Sequence, residues 1–217
     1  MPTSTPRASW KADPNFRIDT PRLFLSHYSP DSTEDLEFVV RTLSSSGGNP
    51  LLFPGNGHII PGASAIEEVE FLMRQRNDVQ AAKFGYPGWF CITLKETGER
   101  IGICSLTIAR PCPEELWWPA PDVGFTLLPG WRGKGYATEA AKAVMKYALE
   151  EHNVQEVIGL CEPDNAASCK ALARLGFVQW GKGKIRMLKD FEMLVWGPPG
   201  RTSLEGFVGD DKVEITG

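Results

Sequence analysis

The stretch Pro129-Gly130-Trp131-Arg132-Gly133-Lys134-Gly135-Tyr136-Ala137-Thr138 constrains the fold more than any other part of this 217-residue chain. It follows an apolar strand, Asp122 to Leu128, and becomes a helix at once, with Ala137, Ala140, Ala141, Val144 and Ala148 recurring on one face. Strand, glycine-flanked basic turn and helix start are the parts of a diphosphate cradle. Gly133 and Gly135 lack the Cβ atoms that would block close approach, and the first helical N–H groups face an anion at the positive end of the dipole. Arg132 and Lys134 add charge there. The plain alternative is a strand-to-helix turn carrying a solvated lysine. Two other phosphate loops fit poorly. Gly130 to Gly135 has P-loop spacing, but Tyr136 and Ala137 stand where Lys and Ser or Thr are needed, and Gly133-x-Gly135-x-x-Thr138 lacks the third glycine of a dinucleotide fingerprint.

The remaining composition narrows the field. A chain this long accommodates one well-buried domain and is short for two. A net charge of −4 offers no basic footprint for nucleic acid or an anionic membrane surface, so any positive field is local to the loop. The five cysteines (91, 104, 112, 161 and 169) form no C-x-x-C pair, and His27, His58 and His152 stand alone, so neither a metal site nor a disulfide framework is expected. Met1 to Lys11 contains no apolar h-region and no segment is apolar enough to span a bilayer, which makes a cytoplasmic location the expectation, with the nucleus as the alternative.

Periodicity and punctuation outline the elements. Arg17 to Tyr28 reads as a strand and Asp31 to Leu43 as a helix. Ser44 to Gly62, with five glycines and three prolines, reads as a long binding loop or a surface insertion. Ser64 to Asn77 is a helix opened by a Ser64/Glu67 capping box. Trp89 to Leu94 and Arg100 to Ile108 are strands joined by the polar turn Lys95 to Glu99, and 109–121 is a stiff, proline- and tryptophan-rich connection. After the helix that begins near Ala137 come a strand, Val154 to Cys161, a helix, Asn165 to Leu175, with Gly176 at C′, a strand from Phe177, and a last one over Ile185 to Trp196. The expected division is an arm over 1–16, a domain over 17–197 and a tail over 198–217. Strands with interposed helices give an α/β fold with a mixed sheet.

Arg132-Gly133-Lys134-Gly135-Tyr136-Ala137 matches the Arg/Gln-x-x-Gly-x-Gly/Ala signature of the GNAT superfamily of N-acetyltransferases, and the chain resembles that family along most of its length. Arg22-Leu23-Phe24-Leu25 after Thr20 is similar to the first strand of its ribosomal-protein-alanine N-acetyltransferase branch. Asp122-Val123-Gly124-Phe125-Thr126-Leu127 resembles the fourth strand, Pro163-Asp164-Asn165-Ala166-Ala167-Ser168 the start of the second CoA-side helix, and Leu175-Gly176-Phe177 the turn that follows. Together these span about residues 18 to 197 in family order. The resemblance implies a GNAT fold: a mixed central sheet of about six to seven strands flanked by helices, splayed between its fourth and fifth strands, with a bulge near Phe125 to Leu128. It implies acetyl-CoA as cofactor, with pantetheine against Phe125, Thr126 and Leu127, the pyrophosphate on Arg132 to Thr138, and Asn165, Ser168 and Lys170 beside it.

Acetyl transfer to an amine requires a neutral amine, a polarised carbonyl and a proton for the departing thiolate, and it needs no covalent enzyme intermediate. The chain accordingly lacks a Gly-x-Ser-x-Gly elbow or a legible Cys–His–Asp set. Asp122 resembles a base position that the family usually fills with Glu. It can equally be a solvated residue after Pro121, and Glu162 and Glu192 compete with it. Ser168 is either the proton donor to sulfur or the third residue of a helix capped by Asn165. Lys134 and Lys170 reach toward the 3′-phosphate side or are simply solvated. Phe53, Trp89, Trp117 and Trp118 line an acceptor pocket or are core. The expected function is acetyl transfer to a primary amine of a small molecule or peptide N-terminus, by a monomer or homodimer. The alternative is a non-catalytic acyl-CoA-binding sensor on the same fold.

Overall fold

The computed structural model describes residues 10–45, 63–108, 120–184, 192–200, 204 and 214–215. In chain order the elements are β1 (Ile18–Asp19), β2 (Leu23–His27), α1 (Thr33–Ser44), α2 (Ala65–Phe84), β3 (Trp89–Leu94), β4 (Arg100–Thr107), β5 (Asp122–Leu127), α3 (Tyr136–Glu151), β6 (Gly159–Cys161), α4 (Ala166–Arg174), β7 (Val178–Lys184), β8 (Glu192–Gly197) and β9 (Glu214–Ile215). Two antiparallel sheets result, one ordered β1-β2-β3-β4-β5 and the other β6-β8-β7-β9. They meet at a parallel bridge between Asp122 and Ile158, where Val123 N–H donates to the Ile158 carbonyl at 2.9 Å and Ile158 N–H to that of Pro121 at 2.9 Å. The expected mixed sheet is thus split at the expected place: past Val123, β5 and β6 diverge.

The expected bulge near Phe125 to Leu128 is absent. Asp122 to Leu127 pair one to one with Thr107 to Gly102 without a register shift. Gly102 makes this possible, because a Cβ there would stand 2.4 Å from the Thr126 carbonyl oxygen. The splay therefore arises from the parting of two sheets, with β5 itself regular.

Side-chain alternation along β4 and β5 assigns the two layers. Cys104, Leu106, Val123 and Leu127 face the core under α3, whose buried stripe is the predicted Ala140, Ala141, Val144 and Ala148. Trp89, Cys91 and Ile103 face the other core, under α1 and α2. Asp122, Gly124 and Thr126 share that second face, in line with Ser105 and Thr107.

Several boundaries differ from the sequence reading. The expected single strand over Arg17 to Tyr28 is broken at Thr20 to Arg22 into β1 and β2, which pair antiparallel. Helix α2 runs on to Phe84 and stops at Gly85, φ 81°, beyond the expected end at Asn77. Its buried face includes Glu68, Arg76, Asn77 and Gln80, so polar residues interrupt the apolar stripe that marks a helix. Asn77 and Gln80 accept from the backbone N–H groups of Gly88 and Ile108. Val154, Val157 and Ile158 are buried but unpaired apart from the bridge, so β6 starts only at Gly159. Strand β8 covers Glu192–Gly197, and 185–191 of the expected last strand lie outside the described residues. No helix of the described residues is long and apolar enough to cross a membrane.

Candidate active site

A cavity of about 630 Å³ runs from the splay to the α1–α2 face of the first sheet. Of the expected site residues it brings together Trp89, Asp122, Phe125, Thr126, Leu127, Arg132, Gly133, Gly135, Ala137, Thr138, Glu162, Asn165, Ser168 and Lys170. Lys134 and Tyr136 stand off its wall: Lys134 Nζ lies 4.7 Å over the Trp131 ring, and Tyr136 packs under Arg22. Phe53, Trp117 and Trp118 lie outside the described residues. Glu192 pairs with Lys182 at 3.6 Å, away from the cavity.

The loop end of the cavity is made of backbone. Gly133 and Gly135 sit at φ 76° and 85°, the left-handed region that costs L-residues about 1–2 kcal/mol. The protein itself leaves open space where a Cβ on Gly133 would stand. Helices α1, α2 and α4 are capped by the side chains of Ser32, Ser64 and Asn165, whereas α3 starts at Gly135 with no side-chain cap. Its first N–H groups are thus left for a ligand.

Arg132 lines the cavity and also ties the turn down. Its Nε donates to the Leu127 carbonyl at 2.8 Å and its Nη2 to that of Ser45 at 3.0 Å, so it braces the turn against β5 and α1. A second brace went unnoticed in the sequence. Glu139 accepts from Thr20 Oγ1 (2.6 Å), Arg22 N–H (2.9 Å) and Arg22 Nε (2.7 Å), while Arg22 Nη1 donates to the Lys134 carbonyl at 3.1 Å. Burial would raise the Glu139 carboxyl, but the hydrogen bonds from Thr20 and Arg22 outweigh it and hold the group below the usual carboxylate range.

At the splay the antiparallel alternation decides which backbone groups are available. Leu128 N–H donates to the Ile101 carbonyl, so residues 126, 124 and 122 turn toward β4, and 123, 125 and 127 toward the gap. Val123 is used by Ile158 and the Leu127 carbonyl by Arg132, which leaves Phe125 N–H and C=O directed into the opening. Across from it, Asn165 Oδ1 accepts from Ser168 N–H at 3.0 Å. Asn165 is the cap, and the Ser168 hydroxyl is not consumed by capping.

Asp122, 8% exposed, accepts from Leu160 N–H at 2.9 Å through Oδ1. It therefore fastens the two strands together besides lining the cavity. Glu162 lies one residue past the three-residue β6, and it and Asp122 both line the same cavity. Cys161 also lines the cavity, with Sγ 3.4 Å from that of Cys169. Burial pushes its thiol up, which favours the protonated form. Among the described residues no cluster could hold a metal ion.

The chemistry of the far end comes from side chains. Arg76, 4% exposed, lies with its guanidinium 5.2 Å over the Trp89 ring, and Ser105 and Thr107 continue the wall. Arg76 carries no sequence signal, because it stands among polar residues on a helix face that looks unpatterned.

Residues 22–178 match the Acetyltransf_3 family, described as acetyltransferase (GNAT) domain. The uncharacterized N-acetyltransferase YnaD of Bacillus subtilis (strain 168) is 33% identical over 60 residues, 28% of this chain and 35% of that protein. The chain thus spans about a third of the length of that relative. Two solved structures share the fold. An acetyltransferase from Agrobacterium tumefaciens str. C58 has a TM-score of 0.60 at 23% identity, covering 85% of this chain and 94% of that one. RimL, a ribosomal L7/L12 alpha-N-protein acetyltransferase in complex with coenzyme A, has a TM-score of 0.59 at 16% identity, covering 87% and 100%. With the family match extending over most of the chain and the glycine loop, splay and α4 start in family order, the chain belongs to the GNAT acetyltransferase family.

Proposed function

We propose that the protein is an acetyl-CoA-dependent N-acetyltransferase that transfers an acetyl group directly to a primary amine of a small molecule or a peptide N-terminus. The observation that carries this reading is the uncapped α3 start, with two left-handed glycines on a cavity wall that leads into a splay. The diphosphate of CoA suits the N–H groups of residues 136–138, pantetheine suits the backbone of Phe125, and Asn165 and Lys170 flank the path. When bound, acetyl-CoA supplies an acyl group already activated as a thioester. Asp122 takes the amine proton, directly or through one water, and Glu162 is its competitor for this role. The Ser168 hydroxyl gives a proton to the departing sulfur. Peptide N-termini belong to the acceptor class because the neighbour RimL is named for one.

The test is release of free CoA thiol from acetyl-CoA across a panel of primary amines. Amine-dependent release is the expected result. Tight CoA binding with no release for any amine would overturn the transferase reading in favour of a binding module.

A further inference from the structure

Resting on the transferase reading above, we propose that Cys161 and Cys169 form a redox modification site: a peroxide joins them in a disulfide that shuts off acetyl transfer, and a dithiol restores it. The two thiols belong to different elements, Cys161 ending β6 and Cys169 in the first turns of α4, and their Sγ atoms stand 3.4 Å apart. Cys161 is buried and lines the cavity, whereas Cys169 is half-buried. Cys91 and Cys104, by contrast, are buried within β3 and β4.

The difference in exposure orders the chemistry. Hydrogen peroxide meets the Cys169 thiol first; the sulfur takes one peroxide oxygen as a sulfenic acid, and the other leaves as water. The Cys161 sulfur then attacks the Cys169 sulfur, the S–O bond breaks, and the hydroxyl departs with the Cys161 proton as a second water. Each sulfur loses one electron in net, and the two peroxide oxygens are reduced. Burial favours the protonated form of Cys161, which makes it a poor first target and suits it to the second step, when an electrophilic sulfur stands beside it.

Closing the bond acts on the site. A covalent S–S bond is about 2 Å long, so the sulfurs must approach by about 1.4 Å. The segment between them holds Glu162, Asn165 and Ser168, all on the cavity wall. It is a tight turn, in which Asn165 N–H donates to the Glu162 carbonyl at 3.0 Å, Ala166 N–H to that of Asp164 at 2.9 Å and Cys169 N–H to that of Asn165 at 3.1 Å. Cys161 is fixed by its pairing with Leu194, and its neighbour Leu160 by the bond to Asp122. With β6 held from both sides, the approach falls on the turn and the start of α4, and it carries Ser168 along with Cys169. A misplacement of about 1 Å in a reacting group costs about 10²-fold in rate.

The experiment compares the full chain reduced with dithiothreitol and oxidised with hydrogen peroxide in the absence of CoA, each then assayed with acetyl-CoA and an amine that the reduced protein acetylates. Trypsin releases residues 147–170 as one peptide that contains both thiols and no other cysteine, so the disulfide is read as the loss of two hydrogens from that peptide. The oxidised protein should show this loss with kcat reduced by about 10- to 100-fold, and dithiothreitol should reverse both. Cys169→Ser and Cys169→Ala should keep the rate of the reduced protein and resist peroxide. Oxygen added to either cysteine without loss of the two hydrogens, full transfer by protein that carries the disulfide, or undiminished inhibition of both Cys169 variants overturns the switch and leaves the transferase reading standing. A reduced protein that acetylates no amine overturns both.

Discussion

The two ends of the cavity are built from different materials. At the loop end, the proposed recognition of CoA uses the N–H groups of residues 136–138, which Gly135 leaves without a side-chain cap. The far end is walled by side chains from four elements: Arg76 on α2, Trp89 on β3, Thr107 on β4 and Asp122 on β5. Backbone N–H groups are the same whatever the side chains, so a backbone site suits a constant group such as a diphosphate. A side-chain site is re-specified by a few substitutions and suits a variable acceptor. The braces follow the same division. Arg22 and Glu139 hold the loop by charged contacts from outside the cavity and Arg132 holds it from the cavity wall, while the far wall is held by core packing around Trp89 and Ile103.

The strongest way to break this division is at the base. Asp122→Asn should lower kcat/KM by about 10²- to 10⁴-fold and remove the acidic limb of its pH profile, with CoA affinity nearly unchanged. The amide oxygen still accepts from Leu160 N–H, so the strand junction survives. Glu162→Gln should do little. Loss of the acidic limb in Glu162→Gln, with Asp122→Asn active, would move the base to the β6 side.

Ser168→Ala should lower kcat by about 10²-fold and leave CoA binding intact. Because Asn165 supplies the cap, this variant keeps α4. Wild-type turnover would remove the hydroxyl from the chemistry.

The smallest effect concerns the brace. Glu139→Gln should weaken CoA binding about threefold, since the Arg22 side chain is 48% exposed and such pairs are worth about 0.2–1 kcal/mol. The wild-type carboxyl is held below its usual range, so its stabilisation is complete above the unfolded-state value and is lost as pH falls through the lower folded-state value. Below about pH 4 the melting temperature of the wild type should therefore drop more steeply than that of the variant. Parallel pH profiles would show that the brace carries no charge-dependent stability.

The loop end was legible in the chain because its requirements are local. A left-handed start forces glycine at 133 and 135, and an alanine stripe four residues long in space marks α3. The strands that flank the splay were legible for the same reason. At the far end Trp89 and Asp122 were legible as candidates, while Arg76 and Thr107 were not, because they join the wall only through pairing and packing: Thr107 is opposite Asp122 in register, and Arg76 and Thr107 flank Gly88. Arg132 carries a second role that the sequence does not show: besides lining the cavity, it is held as a brace by a carbonyl five residues back in the chain and another 87 back. The end of α2 was misread where buried Asn77 and Gln80 serve neighbouring backbone rather than an apolar stripe.

Backbone recognition at the constant end of the cavity is probed by Gly135→Val. A Cβ there would lie 3.4 Å from the tip of the flexible Arg22 side chain, and the left-handed angle costs about 1–2 kcal/mol, too little to unfold a domain stable by about 5–15 kcal/mol. What the valine does remove is close approach to the first N–H groups of α3. Calorimetric titration of CoA into the wild type and the folded variant should show affinity reduced at least about 100-fold in the variant, a loss of about 2.7 kcal/mol. Equal affinities in a variant with a native melting transition would contradict the account.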